Sequence, residues 1–419
     1  MKIGFKEVVI TPEIPANLGG YGDRKGPGTG IHDDIHTKAW VFQSGQDTFA
    51  MAISDLIGFP RSHVEAAREK ASALSGIPKD RVFIGVTHTH SAPIPMDTPT
   101  AKSNPAYTAH LIDVIAGAVF MAKEGLTEGS LGLSAGQEFK LGANRRDPRK
   151  PFDPTLTVLS WHGGDGVKGI MGSFGCHPTV MSPANLLITA DYPGAMTAAV
   201  RRILARDIPV LWANGSAGDV STRFTRRGQS WAELERFGIL LGGHVAALAC
   251  APDVVLDDAA VAAASQIVEL PRKQLPGREE ADRRVAEYQK IHDEAVKAGA
   301  TPAEVRVVKT RLEGALRERG MSGYFDSLEF RAEIAAARVG DLGIAMVPGE
   351  LFSSLGKAIR DSSPFKYTMT VSYMNGYVGY IPDREAYAEG GYEALSSHLS
   401  PEAADVVVST AAKLLNSLR

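Results

Sequence analysis

Two histidines stand directly behind a short apolar run, and this placement limits the folds that the chain can adopt. The run at 82–86 is of the length and composition of a buried strand, which other elements must cover. The sequence then continues as Thr87-His88-Thr89-His90-Ser91. A spacing of two places both imidazoles on one face of the strand end, roughly 7 Å apart along it. Because α/β proteins place ligand sites at strand ends, we predict a site at His88 and His90, with both as metal ligands or one as a proton carrier.

The rest of the chain alternates predicted strands with helices of crossover length. The helical pattern covers residues 61–75, 107–123, 195–203 and 231–249. Strand patterns cover residues 155–161, 168–175, 209–212, 342–347 and 367–373. This alternation predicts an α/β fold in which mixed β-sheets are covered by helices. Since no linker interrupts the pattern, we expect residues 1–419 to form a single domain.

The segment at about 275–320 differs from its surroundings because it is rich in charge. Thr301-Pro302-Ala303-Glu304 has the sequence of a capping box, with proline at the first helical position. The apolar spacing on both sides of it predicts an inserted helical hairpin. Two interpretations stay open: a solvated arm with one packed stripe, or a dimerisation arm or active-site lid, since long insertions are often functional. A homo-oligomer formed through this hairpin is the protein partner that the sequence predicts.

Charge and cysteine content exclude several classes of protein. There are 45 Lys and Arg against 48 Asp and Glu, so a basic surface for nucleic acid is not expected. The two cysteines, Cys176 and Cys250, are too few for a disulfide scaffold or a cysteine-rich metal site. There is no signal-peptide pattern and no uninterrupted apolar run of ~18 residues, so we expect a cytoplasmic protein without a membrane span.

Further polar groups follow other predicted strands. His177 comes after the strand at 168–175, and Glu350 comes after the strand at 342–347. The small-residue loop after the strand at 209–212 contains Asp219 and Ser221, which we interpret as groups that orient a histidine or supply a hydroxyl. Each of these is by itself typical of an ordinary turn. Together they match a catalytic metal site, which gathers ligands from distant strand ends and leaves one position open for water.

Tyrosines and arginines are concentrated near these motifs. Residues 373–392 contain five of the eleven tyrosines, which indicates either a packed aromatic loop or a substrate wall whose phenols donate hydrogen bonds. Basic clusters at 145–150 and 223–227 adjoin two of the motifs. Such clusters are usually solvated surface. If they line the cleft, they favour an acidic group on the substrate.

The order and combination of these motifs resemble the neutral/alkaline non-lysosomal ceramidase family. The match runs from Ile10-Thr11-Pro12 to Tyr392-Glu393, and it rests on Gly20-Tyr21-Gly22, Gly30-Ile31-His32-Asp33, Thr87-His88-Thr89-His90-Ser91, Asn144-Arg145, His177-Pro178-Thr179, Gly218-Asp219-Val220-Ser221, Pro348-Gly349-Glu350, Tyr380 and Tyr392. The resemblance implies the family's α/β catalytic domain, here without the separate C-terminal β-domain. Ile94-Pro95 replaces the family's usual Gly-Gly and Thr222-Arg223 its usual Pro-Asn, so the metal site is better supported than ceramide as substrate.

The resemblance implies a zinc-dependent hydrolase that cleaves an amide bond of a small or N-acyl substrate with a metal-activated water. It implies four ligands to Zn²⁺, namely His88, His177, Glu350 and Tyr380. It also implies four residues that act on the substrate: His90 transfers protons, Arg145 and Tyr392 hold the substrate carbonyl or the oxyanion, and Ser221 matches the proposed nucleophile. Whether Ser221 or water attacks the amide is open at this point.

Three alternatives to an amidase are considered. A His-x-His amidohydrolase barrel needs regular strand–helix alternation and a late aspartate ligand, and it fits poorly with the tyrosine-rich stretch and the hairpin. An esterase or lactonase would use the same zinc site on a small-molecule ester. A catalytically silent binding module would be indicated by loss of a ligand, whereas all four implied ligands are present.

Overall fold

The computed structural model describes residues 1–98 and 101–419. These residues form twenty strands and ten α-helices. The strands are β1 Lys2–Val9, β2 Gly30–Ile31, β3 His36–Ser44, β4 Asp47–Ser54, β5 Val82–Val86, β6 Thr127–Glu128, β7 Ser130–Gln137, β8 Ala143–Asn144, β9 Thr155–Gly163, β10 Gly166–Ser173, β11 Leu187–Ile188, β12 Val210–Trp212, β13 Val220–Ser221, β14 Val254–Leu256, β15 Val261–Glu269, β16 Arg331–Val339, β17 Leu342–Met346, β18 Glu350–Leu351, β19 Tyr367–Val371 and β20 Tyr380–Ile381. The helices are α1 Arg61–Ser75, α2 Pro105–Glu124, α3 Tyr192–Leu204, α4 Trp231–Cys250, α5 Arg278–Lys297, α6 Pro302–Met321, α7 Ser353–Asp361, α8 Arg384–Glu389, α9 Tyr392–Ser396 and α10 Glu402–Ser417.

Most of the strands belong to three large sheets. The first has the order β5-β4-β3-β1-β6, the second β12-β10-β9-β7-β14, and the third β15-β16-β17-β19. Most neighbouring strands run antiparallel, but β4–β5, β10–β12 and β17–β19 are parallel. All three sheets are therefore mixed.

The three sheets share one apolar core. Trp40 and Phe83 from the first sheet meet Trp161 and Met171 from the second and Ile344 from the third, all buried. On the outer faces, α1 and α2 cover the first sheet, α3 and α4 the second, and α7 and α10 the third. This arrangement confirms the predicted α/β fold of mixed sheets covered by helices. The prediction that residues 1–419 form a single domain stays a prediction.

Helix α2 is long and apolar enough, by length and composition alone, to cross a membrane. It is the one such helix in the described part of the chain. Leu111, Ile115 and Val119 on this helix are buried against the first sheet and α1. Core helices of soluble proteins commonly have this composition, so the helix is weak evidence for a membrane span.

The predicted hairpin is present as α5 and α6. Its capping box is confirmed, because the Thr301 side chain accepts from the Glu304 N–H while the Glu304 carboxylate accepts from the Thr301 N–H. Helix α6 packs along α9, and a Cβ added to Gly314 would lie 2.9 Å from the Cα of Tyr392. The hairpin is therefore more than a solvated arm, since one of its helices lies against the segment that begins at Tyr392. An oligomer through the hairpin remains a prediction without supporting findings.

The buried Asn214 joins strand ends from all three sheets. Its Nδ2 donates to the carbonyl of Thr87, one residue past β5, at 3.1 Å. Its Oδ1 accepts from the N–H of Cys176, beyond β10, at 3.4 Å. Its main-chain carbonyl accepts from the N–H of Ser372, one residue past β19, at 2.9 Å. Asn214 therefore ties together the segments that lead into His88 and His177.

Replacing Asn214 tests this connection. In Asn214→Ala the buried Thr87 carbonyl loses its donor, and each polar group left unpaired in a core costs about 1–3 kcal/mol. We expect the free energy of unfolding, measured by urea denaturation, to fall by at least that amount. The control is Asn416→Ala, because Asn416 is exposed and bonds only within its own helix; its effect should stay within about 0.5 kcal/mol. Equal losses in the two variants would contradict the proposed connection.

Candidate metal centre

Three of the predicted ligands converge in the interior. The Oε2 atom of Glu350 lies 2.9 Å from Nε2 of His177 and 3.4 Å from Nε2 of His88. The three residues are at most 2% exposed. They come from separate strand ends: His88 follows β5, His177 lies beyond β10, and Glu350 begins β18.

Main-chain carbonyls fix the tautomers of the two imidazoles. Nδ1 of His88 lies 2.5 Å from the carbonyl oxygen of Ile57, and Nδ1 of His177 lies 2.6 Å from that of Ala217. Because a carbonyl only accepts, both Nδ1 atoms must carry the proton, and a neutral ring then presents a lone pair at Nε2. Burial lowers the pKa of His177 to about 4, so this ring is neutral at pH 7.

The Nε2 atoms of both rings face the carboxylate of Glu350. Burial opposes ionisation of Glu350, but the imidazoles of His88 and His177 hold its pKa well below its usual value. These ligand atoms are close enough to share a proton or to bind one metal cation. Histidine ligands that donate their second N–H to a carbonyl are also the usual arrangement around protein-bound metals. The donor set thus fits a divalent cation.

Tyrosines form one wall of this centre. The Tyr377 hydroxyl donates to Oε1 of Glu350 at 2.5 Å, and the Tyr373 ring stacks on His88 with a centroid distance of 4.1 Å. Tyr380 lies beside Glu350 because β20 pairs with β18 in the register Glu350↔Tyr380. Burial raises the pKa of Tyr377 well above its usual value, so this phenol keeps its proton and remains a donor. The tyrosine-rich stretch is therefore part of the site.

Arg145 lies between the histidines and the tyrosines. Its Nη1 is 3.1 Å from Nε2 of His177, and its Nη2 donates to the Tyr380 hydroxyl at 2.9 Å. Its Nε donates to Oε1 of Glu393 at 2.6 Å, in an ion pair that is almost completely buried. Burial disfavours the charged form of Glu393, but Arg145 and Arg146 keep its pKa below the usual value. Glu393 therefore balances the charge of Arg145 and holds its side chain in place.

His90 lies at the outer side of the centre. Its Nε2 is 3.4 Å from Nε2 of His88, and its Nδ1 is buried without a hydrogen-bond partner among the described residues. Burial, followed by the neighbouring His88 and His177, lowers the pKa of His90 well below its usual value. Gly20 makes room for this ring: its φ is +95°, and a Cβ there would lie 2.4 Å from Cγ of His90.

The two remaining predicted site residues lie on either side of Arg145. Ser221 forms a bridge with His177 through the main chain, and its Oγ accepts from the Arg223 N–H at 3.3 Å. The Tyr392 hydroxyl accepts from Nη1 of Arg317, on α6, at 2.7 Å. Since arginine only donates, Tyr392 keeps its own O–H for another acceptor.

The structure brings together the eight residues that the sequence places in the site, but not Asp219 as a partner of a histidine. That carboxylate accepts from the Ser353 N–H at 2.7 Å and from Nδ2 of Asn144 at 3.1 Å. Main-chain carbonyls orient the histidines instead. Sequence analysis also missed Glu393, whose only signal was its position directly after Tyr392. His88, His90 and His177 form a group whose ligand atoms lie within 4.8 Å of one another, so His90 is also within reach of a metal.

Comparison with known proteins supports the resemblance inferred from the motifs. No family model matches the sequence. The neutral ceramidases of Drosophila pseudoobscura pseudoobscura and Drosophila melanogaster are each 26% identical over 219 residues, which is 46% of this chain and 31% of theirs. The chain thus aligns with less than a third of the length of these curated relatives.

Solved structures extend the likeness to the entire chain. The crystal structure of neutral ceramidase from Pseudomonas aeruginosa has a TM-score of 0.76 at 20% identity, and the match covers 100% of this chain and 75% of that one. A ceramidase complexed with C2 has the same TM-score and coverage at 19% identity. At this level of identity the superposition establishes the fold. The chain is therefore similar to the neutral ceramidases in part of its sequence and has the fold of these solved structures over its whole length.

Proposed function

We propose that this protein is a zinc-dependent hydrolase that cleaves the amide bond of an N-acyl substrate. The relatives take their name from ceramide, in which a fatty acid is joined to an amine through an amide bond. The type of bond is what we carry over, because the curated relatives are matched over only 31% of their length. Ceramide itself is not part of the proposal.

One observation carries the proposal: three buried ligand atoms from separate strand ends converge at one point. Nε2 of His88, Nε2 of His177 and Oε2 of Glu350 are ligand atoms that Zn²⁺ prefers, and Tyr380 stands beside Glu350 as a fourth. When bound, Zn²⁺ acts as a Lewis acid and lowers the pKa of water from 15.7 to about 7. Three or four protein ligands at one buried centre favour a catalytic metal over a surface-bound ion.

The neighbouring residues supply the remaining parts of amide hydrolysis. His90 is neutral and has an unpaired ring nitrogen, so we assign it to accept a proton from water and to donate one to the leaving amine. Arg145 has five N–H groups, and three of them are used in the contacts with Glu393, His177 and Tyr380, so two remain as donors. The Tyr392 hydroxyl accepts from Arg317 and can still donate its own hydrogen. Arg145 and Tyr392 are assigned to the substrate oxygen that becomes negatively charged, where one donor typically contributes about 2.7–4 kcal/mol.

Water is proposed as the nucleophile in preference to Ser221. A serine nucleophile needs a base within hydrogen-bond reach of its hydroxyl. The Ser221 hydroxyl accepts from the Arg223 N–H and has no hydrogen bond to His90 among the described residues. Its main-chain role, next to His177, explains its place in the site without a covalent step.

The first prediction concerns the metal. Purified without chelator, the protein should contain one zinc per chain by elemental analysis, and chelation should abolish hydrolysis of N-acyl amides. His177→Ala should lose the metal, because three remaining ligands hold Zn²⁺ much less tightly. His110→Ala, which alters an exposed histidine on α2, should retain it. The proposal fails if the native protein carries no stoichiometric metal, and cleavage of esters or lactones without amides would favour the esterase alternative.

The second prediction separates the two roles open to His90. His90→Ala should keep the zinc and lose about 10²–10⁴-fold in kcat, the usual contribution of a general acid–base. Zinc content and kcat are measured on the same preparation, with His88→Ala as the metal-free reference. Should His90→Ala lose zinc as completely as His88→Ala, His90 is a ligand and the assignment of proton transfer is wrong.

The third prediction concerns Ser221. If water attacks, Ser221→Ala removes at most one hydrogen bond near the site, worth about 1–3 kcal/mol, and activity falls roughly 5- to 150-fold. Intact-mass spectrometry during turnover provides the independent measurement. An acyl adduct that maps to Ser221 and is absent from Ser221→Ala would show that the serine attacks.

A further inference from the structure

Three arginines at the entrance of the site contact only uncharged groups. Arg24 donates to the carbonyls of His90, Gly19 and Asn185, at 2.7, 2.7 and 3.2 Å. Two others complete the set: Arg223 donates to the carbonyl of Arg145 at 2.9 Å, and Arg226 donates to that of Thr179 at 2.7 Å. We call Arg24, Arg223 and Arg226 the entrance arginines. All three are partly exposed, whereas the proposed zinc ligands are buried.

No carboxylate among the described residues forms an ion pair with an entrance arginine. The neighbouring cations differ in this respect, because Arg306 pairs with Glu313 at 2.8 Å and Lys309 with Asp23 at 3.4 Å. The basic cluster at 145–150 is largely neutralised as well, through Glu389, Glu385, Glu393 and Asp147. The entrance arginines therefore lack a direct carboxylate partner, in a chain whose net charge is −3, and Asp23 and Glu393 act on Arg24 and Arg223 only at longer range.

The pKa values of the entrance arginines agree with their lack of direct ion pairs. Burial and the nearby guanidinium of Arg145 lower the pKa of Arg223 to about 9, and burial lowers the pKa of Arg226 and of Arg24. The buried Asp191 acts on Arg226 from a distance, but its oxygens accept from the N–H groups of Val180, Met181 and Tyr192. An anion bound at the entrance would stabilise the charged forms of these arginines, which burial disfavours.

The entrance arginines are connected to the site through His90. Arg24 bonds to the main chain of His90, and its Cζ is 5.2 Å from the Tyr21 ring. The Tyr21 ring meets the His90 ring edge-on at 4.9 Å. His90 is the residue assigned to protonate the leaving amine, so an anion near Arg24 would belong to the amine half of the substrate.

We propose that the substrate is an N-acyl amino acid, whose carboxylate binds at the entrance arginines. The inference rests on the proposed amide hydrolysis and names its substrate class. Water adds its oxygen to the acyl carbon, the C–N bond breaks, and a proton passes to nitrogen, so the products are a fatty acid and a free amino acid. Guanidinium groups suit this carboxylate because they form paired, charge-assisted hydrogen bonds with it.

Turnover of two matched amides tests the substrate class. The zinc-loaded enzyme is assayed with N-octanoylglycine and with the neutral N-octanoylethanolamine. We expect kcat/KM to be at least 10-fold higher for the acid, with a preference that weakens as salt is added. In Arg226→Gln the acid-to-neutral ratio should fall about 10-fold or more, while Arg227→Gln, which changes the exposed neighbour, should keep it. General damage to the fold would lower both rates and leave the ratio unchanged.

The possible failures are distinguishable. Equal kcat/KM for the two amides overturns the substrate class and leaves amide hydrolysis intact. If neither amide is cleaved, the proposed function fails, and calorimetric titration of the same two compounds then tests the carboxylate site by itself. Tighter binding of the acid, lost in Arg226→Gln, supports the carboxylate site. Equal binding of the acid and the neutral amide overturns the carboxylate site. A higher kcat/KM for the sulfonate N-octanoyltaurine than for the carboxylate would show that the assignment of a carboxylate is wrong.

Discussion

The hydrogen bonds of Asn214 are the interactions on which the rest of the site depends. Apolar contacts hold the three sheets together, but such contacts have no preferred direction and do not fix the relative positions of strand ends. The amide of Asn214 donates to the Thr87 carbonyl and accepts from the Cys176 N–H, and both partners are next to a histidine of the metal centre. Directional bonds from one side chain therefore set the spacing of His88 and His177, which lie 89 positions apart in sequence.

Charge balance explains why a cation suits the interior. Around the centre, Glu350 and Glu393 are ionised and Arg145 is the buried guanidinium that faces them. Glu350 forms no ion pair with lysine or arginine among the described residues, so its remaining charge faces only the two imidazoles. Burying an uncompensated charge is costly, and coordination to a metal is one of the ways in which proteins avoid that cost. A divalent cation would more than offset the remaining charge and favour a substrate oxygen that becomes negative.

Much of the fold and of the proposed centre was predictable because it depends on local patterns. Each apolar run predicts a strand, and the polar residue that follows it, His88, His177 or Glu350, is thereby predicted to lie at the end of that strand. The bounds of helices were less accurate: α3 begins at Tyr192 and not at 195, because the carboxylate of Asp191 accepts from the Tyr192 N–H and starts the helix earlier. A capping aspartate before Tyr-Pro is a visible signal, but the apolar pattern starts later.

The interactions that sequence analysis missed connect residues far apart in the chain. The carbonyls of Ile57 and Ala217 that orient the imidazoles have no side-chain signature. Asp219 has a carboxylate in a suitable loop, but its oxygens are used by Ser353 and Asn144, and nothing local indicates this. Pairing of Arg145 with Glu393 spans 248 positions and depends on how the β8–β13 pair lies against the tyrosine-rich segment.

The same distant packing determines how a substrate reaches the centre. The proposed ligands are buried, whereas the Tyr21–Arg24 loop next to His90 is partly exposed and lies close to helix α6. An ion pair between this loop and α6, Asp23 with Lys309, is exposed, and such pairs contribute about 0–1 kcal/mol. The other side of α6 is held differently, because the buried Glu318 binds both Lys273 and Arg284. Between these two points, Gly314 of α6 packs closely against Tyr392 and Arg317 donates to the Tyr392 hydroxyl. The position of Tyr392, which we assign to the substrate oxygen, therefore depends on α6.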